Sequence, residues 1–593
     1  MAVENLITEH IDIWTSAVKT KSTSGRGSSK KQELYGVKKL RELILELAVR
    51  GKLVPQDPND EPASALYSQL ASNRDSWLKD HTNDNVEAKT MLRKLKKLTE
   101  PALPFPIPNS WICVHLIQLS KMLVDCHNKT APYTETGIPI IRTTNIRDRQ
   151  FVDRDLKYVT QETYDYWSRR CPPEAGDIIF TREAPMGEAT IIPSRVKWCL
   201  GQRTMLVRPM HEYVLNSYLL IALTEPHLLE RASEHAVGLT VKHLRVGDVE
   251  NLSVPLPPIK EQHRIVAKVD ELMALCDQLE QQTESSIEAH QVLVTTLLDT
   301  LTNSADADEL MQNWARISEH FDTLFTTEES IDQLKQTILQ LAVMGKLVPQ
   351  DPSDEPAAEL LKRIAEEKAQ LVKEKKIKKQ KALPPIAEDE KPFELPNSWK
   401  WCRLDDICFG ITSGSTPPKV NFNESEGIPY LKVYNIREQK IDFEYKPQFV
   451  DNDCHKTKLA RSVLYPGDVV MNIVGPPLGK IAIIPDTYPE WNCNQAITFF
   501  RPIVPQLNKF IYTYLTAGSF LNSIELIGTA GQDNISVTKS RSILLPTPPL
   551  KEQRRIVNKV HELFLLCNSL KMRLRERHEL KLCITDTIVE RAV

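Results

Sequence analysis

A tandem duplication constrains the fold of this 593-residue chain more than any other feature of its sequence. Residues 47–63, LAVRGKLVPQDPNDEPA, match residues 341–357, LAVMGKLVPQDPSDEPA, at 15 of 17 positions. A long internal match of this kind indicates two copies of one folded unit. Further matches follow in the same order: PNSW at 108–111 and 396–399, GIPIIRTTNIR from Gly137 with GIPYLKVYNIR from Gly427, GDIIF from Gly176 with GDVVM from Gly467, and PLPPIKEQHRIVAKVDELMALC from Pro255 with PTPPLKEQRRIVNKVHELFLLC from Pro546.

The two copies diverge unevenly along their length. The leaders and the tails stay close, whereas the middle segments keep only a skeleton of glycine, proline, tryptophan and apolar positions. A constant frame around two different middles predicts two related functions with different targets; the alternative is a duplication without functional meaning. The predicted segments are a helical leader at 1–103, a middle domain at 104–258, a central helix at 259–305, a second leader with a lysine-rich segment at 306–391, a second middle domain at 392–549 and a C-terminal helix at 550–593.

Apolar residues in both tails repeat at spacings of 4 and 3, which is the heptad pattern of packed helices. A proline pair precedes each tail, at 257–258 and at 548–549, and suits a helix start. Each seam extends over about three heptads, which argues against a long fibrous coil. The natural partner of one tail is the other; the alternative is that each tail packs on its own domain. The seams are Ile265, Val269, Leu272, Cys276 and Leu279, and Ile556, Val560, Leu563, Cys567, Leu570 and Leu574.

The remaining segments predict a mixed architecture. In the leaders, the amphipathic stretch 39–50 ends at Gly51, a C-cap candidate, and its copy ends at Gly345. Lysine-rich stretches at 88–97 and 362–382 are predicted to be helices with a solvated face, phosphate contact being the alternative. In the middle domains, each Gly-Asp strand is followed by a Pro/Gly turn and a second apolar strand, while 216–224 and 508–516 predict short helices. The predicted fold class is α+β: two α/β domains joined by long helices, with a pseudo-two-fold internal repeat.

Composition excludes several classes of protein. No apolar run approaches the roughly 20 residues that a membrane span requires, and the first residues, MAVENLITEHIDIW, lack the features of a secretory signal. The 11 cysteines are scattered without a C-x-x-C pair, which argues against a disulfide framework or a zinc ribbon and fits a reducing cytoplasm. Because the net charge is −3, any contact with nucleic acid must come from local patches.

The motifs of common catalytic sites are missing from the sequence. There is no G-x-x-x-x-G-K-[ST] phosphate loop, no G-x-G-x-x-G after a strand, no Asn-Pro-Pro-Tyr-type tetrad and no H-E-x-x-H or paired-cysteine metal site. Cys199 and Cys493 are expected to be small core residues rather than nucleophiles. The repeated Glu261-Gln262 and Glu552-Gln553 lie near helix starts, where capping explains them better than acid–base chemistry. We therefore expect no catalytic, cofactor-binding or metal-binding residues in this chain.

The order of these motifs closely resembles that of the specificity subunits of Type I restriction–modification systems. The resemblance covers essentially the whole chain in two copies, and the Pro-Pro-x-x-Glu-Gln-x-x-Ile-Val tail is its most specific part. Residues 413–417, SGSTP, also resemble that family's loop near the start of a target recognition domain, whereas the first copy has VDCHNK at 124–129. The extended leaders suggest a longer subclass of the family.

The resemblance implies a mechanism in which two target recognition domains each read half of a split, asymmetric DNA site. It also implies partners: two modification subunits that carry S-adenosylmethionine and methylate adenine, and motor/nuclease subunits that use ATP and magnesium. The resemblance further implies that the tails pair as an antiparallel coiled coil that sets the distance between the heads. About 23 helical residues span roughly 34 Å, about one turn of B-DNA. Two other classes remain as alternatives, a self-sufficient methyltransferase or nuclease and a helical scaffold or regulator without site specificity.

The residues that read DNA are the hardest to predict, because neither middle domain is broadly basic. Residues 105–258 contain 17 basic and 17 acidic side chains, and residues 395–549 contain 15 and 14. Base readers are expected among Arg, Lys, Asn, Gln, Ser and Thr on loops, above all in GLTVKHLR from Gly238 and GQDNISVTKSR from Gly531. Recurrence of Asn145/Asn435 and Arg147/Arg437 in both copies favours a structural or phosphate-positioning role for them. The candidates are Lys129, Thr130, Arg142, Thr143, Asn145, Arg182, Lys242, His243 and Arg245 in the first copy, and Ser413, Ser415, Thr416, Lys419, Lys432, Tyr434, Asn435, Lys539 and Arg541 in the second.

Overall fold

The computed structural model divides the chain into two compact units, Met1–Ser286 with Arg577–Val593, and Ile287–Glu576. It describes residues 3–21, 31–127, 129–183, 185–194, 197–228, 230, 243–475, 477–524 and 534–593. Each unit contains one leader, one mixed middle domain, hereafter a head, and parts of two long helices. The predicted α+β class is therefore confirmed. A search of the described helices finds none that is long and apolar enough to cross a membrane.

The first unit begins with a helical leader and continues into the first head. The leader has one small hairpin, Lys19–Lys21 with Lys31–Glu33, and the helices Val3–Glu9, Ile11–Ser16, Tyr35–Val49, Ala63–Asp80 and Val86–Leu95. The head's helices are Leu116–Leu119, Gln161–Trp167, Asn216–Thr224 and Val246–Glu250, with a 3-10 turn at Thr143–Asn145. Its strands are Ile112–His115, Ser120–Asp125, Ile138–Ile141, Ile146–Arg147, Gln150–Phe151, Lys157–Val159, Ile178–Thr181, Ala189–Ile191, Cys199–Leu200, Thr204–Pro209 and Ser253–Leu256.

The second unit repeats this order. Its leader helices are Ala307–Glu319, Phe321–Leu324, Glu328–Val343 and Ala357–Lys373, and its head contains the helices Leu404–Ile407, Asn452–Lys456, Asn508–Ala517 and Val537–Ser542. Its 3-10 turns are Glu388–Glu390, Lys419–Asn421, Val433–Asn435, Ala460–Ser462, Pro505–Leu507 and Ser519–Ser523. Its strands are Lys400–Arg403, Thr412–Ser413, Phe422–Asn423, Ile428–Leu431, Ile436–Arg437, Lys440–Ile441, Phe449–Val450, Val469–Asn472, Ile481–Ile483, Asn492–Cys493, Ile497–Phe500 and Leu544–Thr547.

Both heads are built on the same sheet plan. The main sheet is antiparallel, and its strand order in the first head is Ala189–Ile191, Ile178–Thr181, Thr204–Pro209, Ser120–Asp125. A second sheet places a parallel strand beside a central strand, Cys199–Leu200 on Ile138–Ile141 in the first head and Asn492–Cys493 on Ile428–Leu431 in the second. A two-stranded ribbon, such as Ile112–His115 with Ser253–Leu256, closes the head where the long helix begins.

The repeated Gly-Asp motif starts the hairpin that the sequence predicts, and the structure explains its aspartate. In the first head, Arg208 binds both carboxylate oxygens of Asp177 at 2.8 Å. In the second, Arg501 binds Asp468 at 2.8 and 2.6 Å. The pair ties two neighbouring strands of the main sheet by a bidentate ion pair, which is a strong and directional contact. The predicted hairpins and the predicted helices at 216–224 and 508–516 are confirmed, the last extending to Ala517.

The long helices run further than the heptad seams predict. The central helix is Ile259–Asn303 and the C-terminal helix is Leu550–Ala592. Buried positions resume beyond the first seam at Val294, Leu298 and Leu301. In the second unit, these side chains belong to one hydrophobic core with residues at the start of the C-terminal helix.

Ion pairs between leader and long helix differ in sign between the two units. In the first unit, Arg41 of the leader binds Asp277 and Glu280 of the central helix, each at 2.7 Å. In the second unit, the leader supplies the anions: Glu328 binds Arg575 at 2.7 Å and Asp332 binds Lys571 at 2.6 Å. At the position of Arg41 the second leader keeps a cation, Lys335, which donates to Asn568 at 2.7 Å, so the ion pairs move to neighbouring positions of the helix border rather than reversing in place.

One helix prediction is wrong. The lysine-rich segment 362–382 is helical only to Lys373, the last residue of the helix Ala357–Lys373. Beyond it, Lys375 has a left-handed backbone with φ of +59°, and almost every side chain at 373–382 is exposed. Helices in proteins are stabilised mainly by packing of an apolar face, so this one ends where its apolar contacts end.

Replacing a seam residue should cost far more stability than replacing its exposed neighbour. Leu272 is 2% exposed, whereas Leu275 on the same helix is 37% exposed. We expect Leu272→Ala to lower the free energy of unfolding by about 2–5 kcal/mol, because it removes buried methyl groups and leaves a cavity. Leu275→Ala should change it by no more than about 0.5 kcal/mol. Denaturant unfolding of the full chain measures both, and equal losses would contradict burial of the seam.

Candidate nucleic-acid interface

A buried carboxyl fixes the point where each head meets its leader and its long helix. In the first unit, Trp111 donates its indole N–H to Glu261 at 2.9 Å, and the side-chain amide of Gln56 donates to the same carboxyl. Ser110 in turn donates to Gln56 at 2.9 Å. This group, hereafter the carboxyl latch, joins the leader loop, the first residues of the head and the first turn of the central helix.

The second unit contains the same latch. Glu552 accepts from Trp399 at 3.0 Å and from Gln350 at 2.6 Å, and Ser398 donates to Gln350 at 3.1 Å. Three motifs that recur in the sequence, VPQDP, PNSW and PPxxEQ, are therefore parts of one contact. Its recurrence in both units marks it as part of the frame.

The capping interpretation of the Glu-Gln pairs is wrong. Glu261 and Glu552 are each 1% exposed and accept from side chains of other segments rather than from their own helix. Gln262 accepts from the backbone N–H of Leu215 at 2.9 Å and donates to the carbonyl of Tyr213 at 3.2 Å, which ties the helix start to the head.

Two further contacts seal the latch. Gly51, at φ of +67°, lies so close to Pro108 that an added Cβ would stand 2.5 Å from its Cγ; Gly345 has the same relation to Pro396. These glycines end the leader helices because both the backbone conformation and the space exclude a side chain. An ion pair between Arg264 and Asp60 at 2.7 Å, repeated in the second unit, borders the latch.

The latch should give the protein a stability that falls as pH rises. Burial raises the pKa of both Glu261 and Glu552, although the bonds from tryptophan and glutamine act in the opposite direction. A carboxyl whose pKa is raised on folding stabilises the fold fully below its unfolded value of about 4.3 and loses that contribution above its folded value. We expect the thermal unfolding temperature of wild type to fall relative to Glu261→Gln across this interval. Trp111→Phe removes a donor that lowers the pKa, so its transition should move to higher pH. A pH-independent difference between wild type and the glutamine variant would contradict this.

The loop that follows the first strand of the main sheet has the same anchor in both heads. Thr130 donates to Gln202 at 3.2 Å in the first head, and Thr416 donates to Gln495 in the second. We call residues 126–132 and 414–418 the strand-end loops. The SGSTP pattern is absent from the first copy, yet its threonine takes the same place in the fold. The first loop is longer between strand and threonine, where Lys129 replaces the compact Gly-Ser of the second.

An arginine from the next segment contacts the last strand residue before the first strand-end loop, and its counterpart contacts the second strand-end loop itself. Arg170 donates to the carbonyl of Asp125 at 3.3 Å, and Arg461 donates to the hydroxyl of Ser415 at 3.1 Å. Sequence reasoning missed both arginines and both glutamines as parts of the site. The signal that could have identified them is their recurrence at aligned positions of two otherwise divergent heads.

Asn145 and Asn435 occupy structural positions. They are 0% and 1% exposed. The amide of Asn145 donates to the carbonyls of Val152 at 3.2 Å and Arg154 at 2.8 Å, and that of Asn435 makes the corresponding contacts. In this conformation these side chains hold a loop and do not reach the surface, which agrees with the structural role that their recurrence indicates.

Two predicted arginines are also held by neighbouring groups. Arg182 binds Asp125 at 3.0 Å and the carbonyl of Leu244 at 3.0 Å. Arg541 binds both oxygens of Asp405, at 2.9 and 3.1 Å. Each of these guanidinium groups links the end of its head to an earlier strand or helix.

The other predicted residues lie at or near the surface of their heads. Lys242 lies outside the described residues, as do residues 238–241 and 531–533 of the two favoured loop segments. Exposed side chains are Lys129, Thr130, Arg245, Thr416 and Lys419; partly buried ones are Arg142, Thr143, His243, Ser413, Ser415, Lys432, Tyr434 and Lys539.

The predicted core cysteines are confirmed. Cys199 and Cys493 are fully buried on the parallel strands, and burial raises the pKa of the Cys199 thiol to about 12. A thiol with such a pKa stays protonated near neutral pH, so it packs as a small apolar group.

A family model and two curated relatives agree on one family. A family model described as the Type I restriction modification DNA specificity domain matches residues 125–289 and 396–579. The chain is 41% identical to the Type I restriction enzyme EcoAI specificity subunit of Escherichia coli and 39% identical to the EcoEI specificity subunit, each match covering 100% of both chains. Among solved structures, the HsdS subunit from Thermoanaerobacter tengcongensis matches with 17% identity and a TM-score of 0.38, over 82% of this chain and 98% of that one.

Proposed function

Because the chain belongs to the family of Type I restriction enzyme specificity subunits, we propose that it reads a bipartite, asymmetric DNA site, one half with each head. It is a non-catalytic subunit. It directs adenine methylation and ATP-dependent restriction, which its partner subunits perform. The heads are the target recognition domains, at 104–258 and 392–549, and the leaders and long helices are the frame that carries them.

The observation that supports this proposal is one anchor that presents two different surfaces. Thr130 with Gln202 and Thr416 with Gln495 hold the strand-end loops in the same place. Between strand and anchor, the first loop presents Lys129 where the second presents Ser415. Proteins that share a scaffold and differ in its loops commonly share a chemistry and differ in the ligand that they select.

The exposed candidates are the best placed to contact DNA. Lys129, Thr130 and Arg245 in the first head, and Thr416 and Lys419 in the second, present polar groups to solvent. Side chains of these types bind phosphate oxygens and base edges in the major groove. The partly buried candidates would contribute after small rotations at the loops.

The partners follow from the same proposal. The frame binds two modification subunits, which carry S-adenosylmethionine, and through them motor/endonuclease subunits that use ATP and magnesium. The assembly works in the cytoplasm, where thiols stay reduced. The 11 cysteines are all free, and nine of them are buried.

Sequencing of methylated adenines tests the proposal. We expect cells that express the full chain with its modification subunits to show one bipartite methylation motif. Replacing residues 392–549 with the aligned head of the EcoAI specificity subunit should change one half of that motif and leave the other half intact. The reciprocal exchange of residues 104–258 is the matched control, and it should change the opposite half.

Two outcomes would contradict the proposal. An unchanged motif after both exchanges would mean that the heads do not read DNA, as expected of a scaffold without site specificity. Methylation of DNA by the purified chain alone would mean that it is itself the enzyme.

A further inference from the structure

Aromatic rings and cations form a stacked cluster on the first head. The imidazole of His127 stacks on the indole of Trp167, with ring centres 4.2 Å apart and planes 24° apart. Tyr166 lies 5.3 Å from His127, and the guanidinium of Arg169 lies 4.1 Å from the centre of the Tyr166 ring. His127 comes from the strand-end loop and the other three residues from the segment that supplies Arg170, so the cluster lies beside the anchored loop.

The charges around this cluster are largely uncompensated. Burial and the neighbouring cations Arg169, Lys129 and Arg170 lower the pKa of His127, so its ring is neutral at physiological pH. Arg170 pairs with Glu87 at 3.3 Å. Neither Lys129 nor Arg169 forms an ion pair with any residue that the structure describes, and both are exposed. Tyr166 is 51% exposed. The cluster therefore combines positive charge with open aromatic surface.

The cluster is specific to the first head. The capping residues Thr160 and Asp451 align the two segments, and this alignment places Thr457 at the position of Tyr166. It also places Lys458 and Ala460 at the positions of Trp167 and Arg169. The neighbouring Arg170, which contacts the strand residue before its loop, recurs as Arg461, which contacts the second strand-end loop. The anchoring arginine is thus common to both heads, and the stacked cluster beside it is not.

We propose that Arg169 and His127 are specificity-determining residues that read bases in the first half of the DNA target, and that Tyr166 is the positioning residue that holds them. Phosphate contacts position a protein on DNA, whereas sequence is read at the base edges, so two heads that read different half-sites need different side chains at the bases. Arginine donates two hydrogen bonds to guanine in its commonest base contact, and a neutral imidazole offers one donor and one acceptor.

The stacking prepares Arg169 for this role. Its guanidinium is held by the Tyr166 ring and donates to the Tyr166 carbonyl at 2.6 Å. A side chain already ordered in the free protein loses less conformational entropy when it binds. The inference rests on the proposed function, since it assigns base readers within the head that the proposal makes a recognition domain.

The test compares four full-chain variants in complex with the modification subunits. Arg169→Ala and Tyr166→Thr, the latter introducing the residue of the second head, should alter or relax the first half of the methylation motif and leave the second half intact. Tyr166→Phe keeps the ring that holds Arg169 and His127, and should keep the wild-type motif. Thr457→Ala, the matched change in the second head, should leave the first half unchanged.

Binding to DNA duplexes measures how much sequence discrimination each variant loses. Using DNA that carries the wild-type motif with single base changes in its first half, we expect Arg169→Ala to lose about 5- to 150-fold of discrimination at one position, the range for one bidentate base contact of ~1–3 kcal/mol. Discrimination in the second half should not change.

Two results would overturn the inference. One is a wild-type motif and wild-type discrimination in Arg169→Ala and Tyr166→Thr. The other is an equal loss of affinity for all sequences, which would assign these residues to the phosphates. In either case the wild-type complex would still show its bipartite motif, so the proposed function would stand. If the wild-type complex showed no bipartite motif, the proposed function itself would be contradicted. If Tyr166→Thr does not fold, as judged by its unfolding temperature, the variants Arg169→Ala and His127→Ala test the inference in its place.

Discussion

A single buried carboxyl in each unit is the contact on which the placement of the heads depends. Glu261 accepts hydrogen bonds from Trp111 and Gln56. It therefore joins the long helix to the residue before the first strand of the head and to the loop that follows the leader helix. Loss of a partner from such a buried group costs about 1–3 kcal/mol. The head would also lose one of the contacts that fix its angle to the long helix. The residues that build the latch are among the most similar of the repeat, as expected if the orientation of each head must stay fixed.

The frame is preserved in geometry more strictly than in charge. Arg41 pairs with anions of the central helix, while Glu328 and Asp332 pair with cations of the C-terminal helix. Ion pairs at this degree of exposure contribute little to stability, so their signs are free to change as long as each pair stays complementary. Buried seam positions have no such freedom because their packing depends on shape. Similarity between the copies therefore decreases from the buried latch and seam outward to the helix borders, and further to the loops of the heads.

How far sequence reasoning reaches depends on the range of the interaction. Periodicity is local, and it gives the hairpin at Gly176, the helix at 216–224 and the long helices. Trp111 and Glu261 are hydrogen-bonded to each other but lie 150 residues apart in the sequence. No spacing rule connects residues so distant, which is why local sequence patterns favour capping as the role of the glutamate. The lysine-rich helix was predicted too long for a related reason. Its composition favours helix beyond Lys373, but almost every side chain at 373–382 is exposed, so the segment buries no apolar face that would stabilise a helix.

Comparison of the two copies helps most where function is shared and least where it differs. Recurrence identifies the residues that hold a loop, such as Asn145, and it would have identified Arg170 and Gln202 as anchors. If the two heads read different half-sites, as proposed, the side chains that select the sequence differ between them, so recurrence cannot identify those side chains. His127 and Arg169 lie on separate segments and become neighbours only through the fold, which stacks one ring on Trp167 and the guanidinium on Tyr166. For a duplicated reader of this kind, the repeat locates the anchors, and the base readers should be sought among the unmatched side chains beside them.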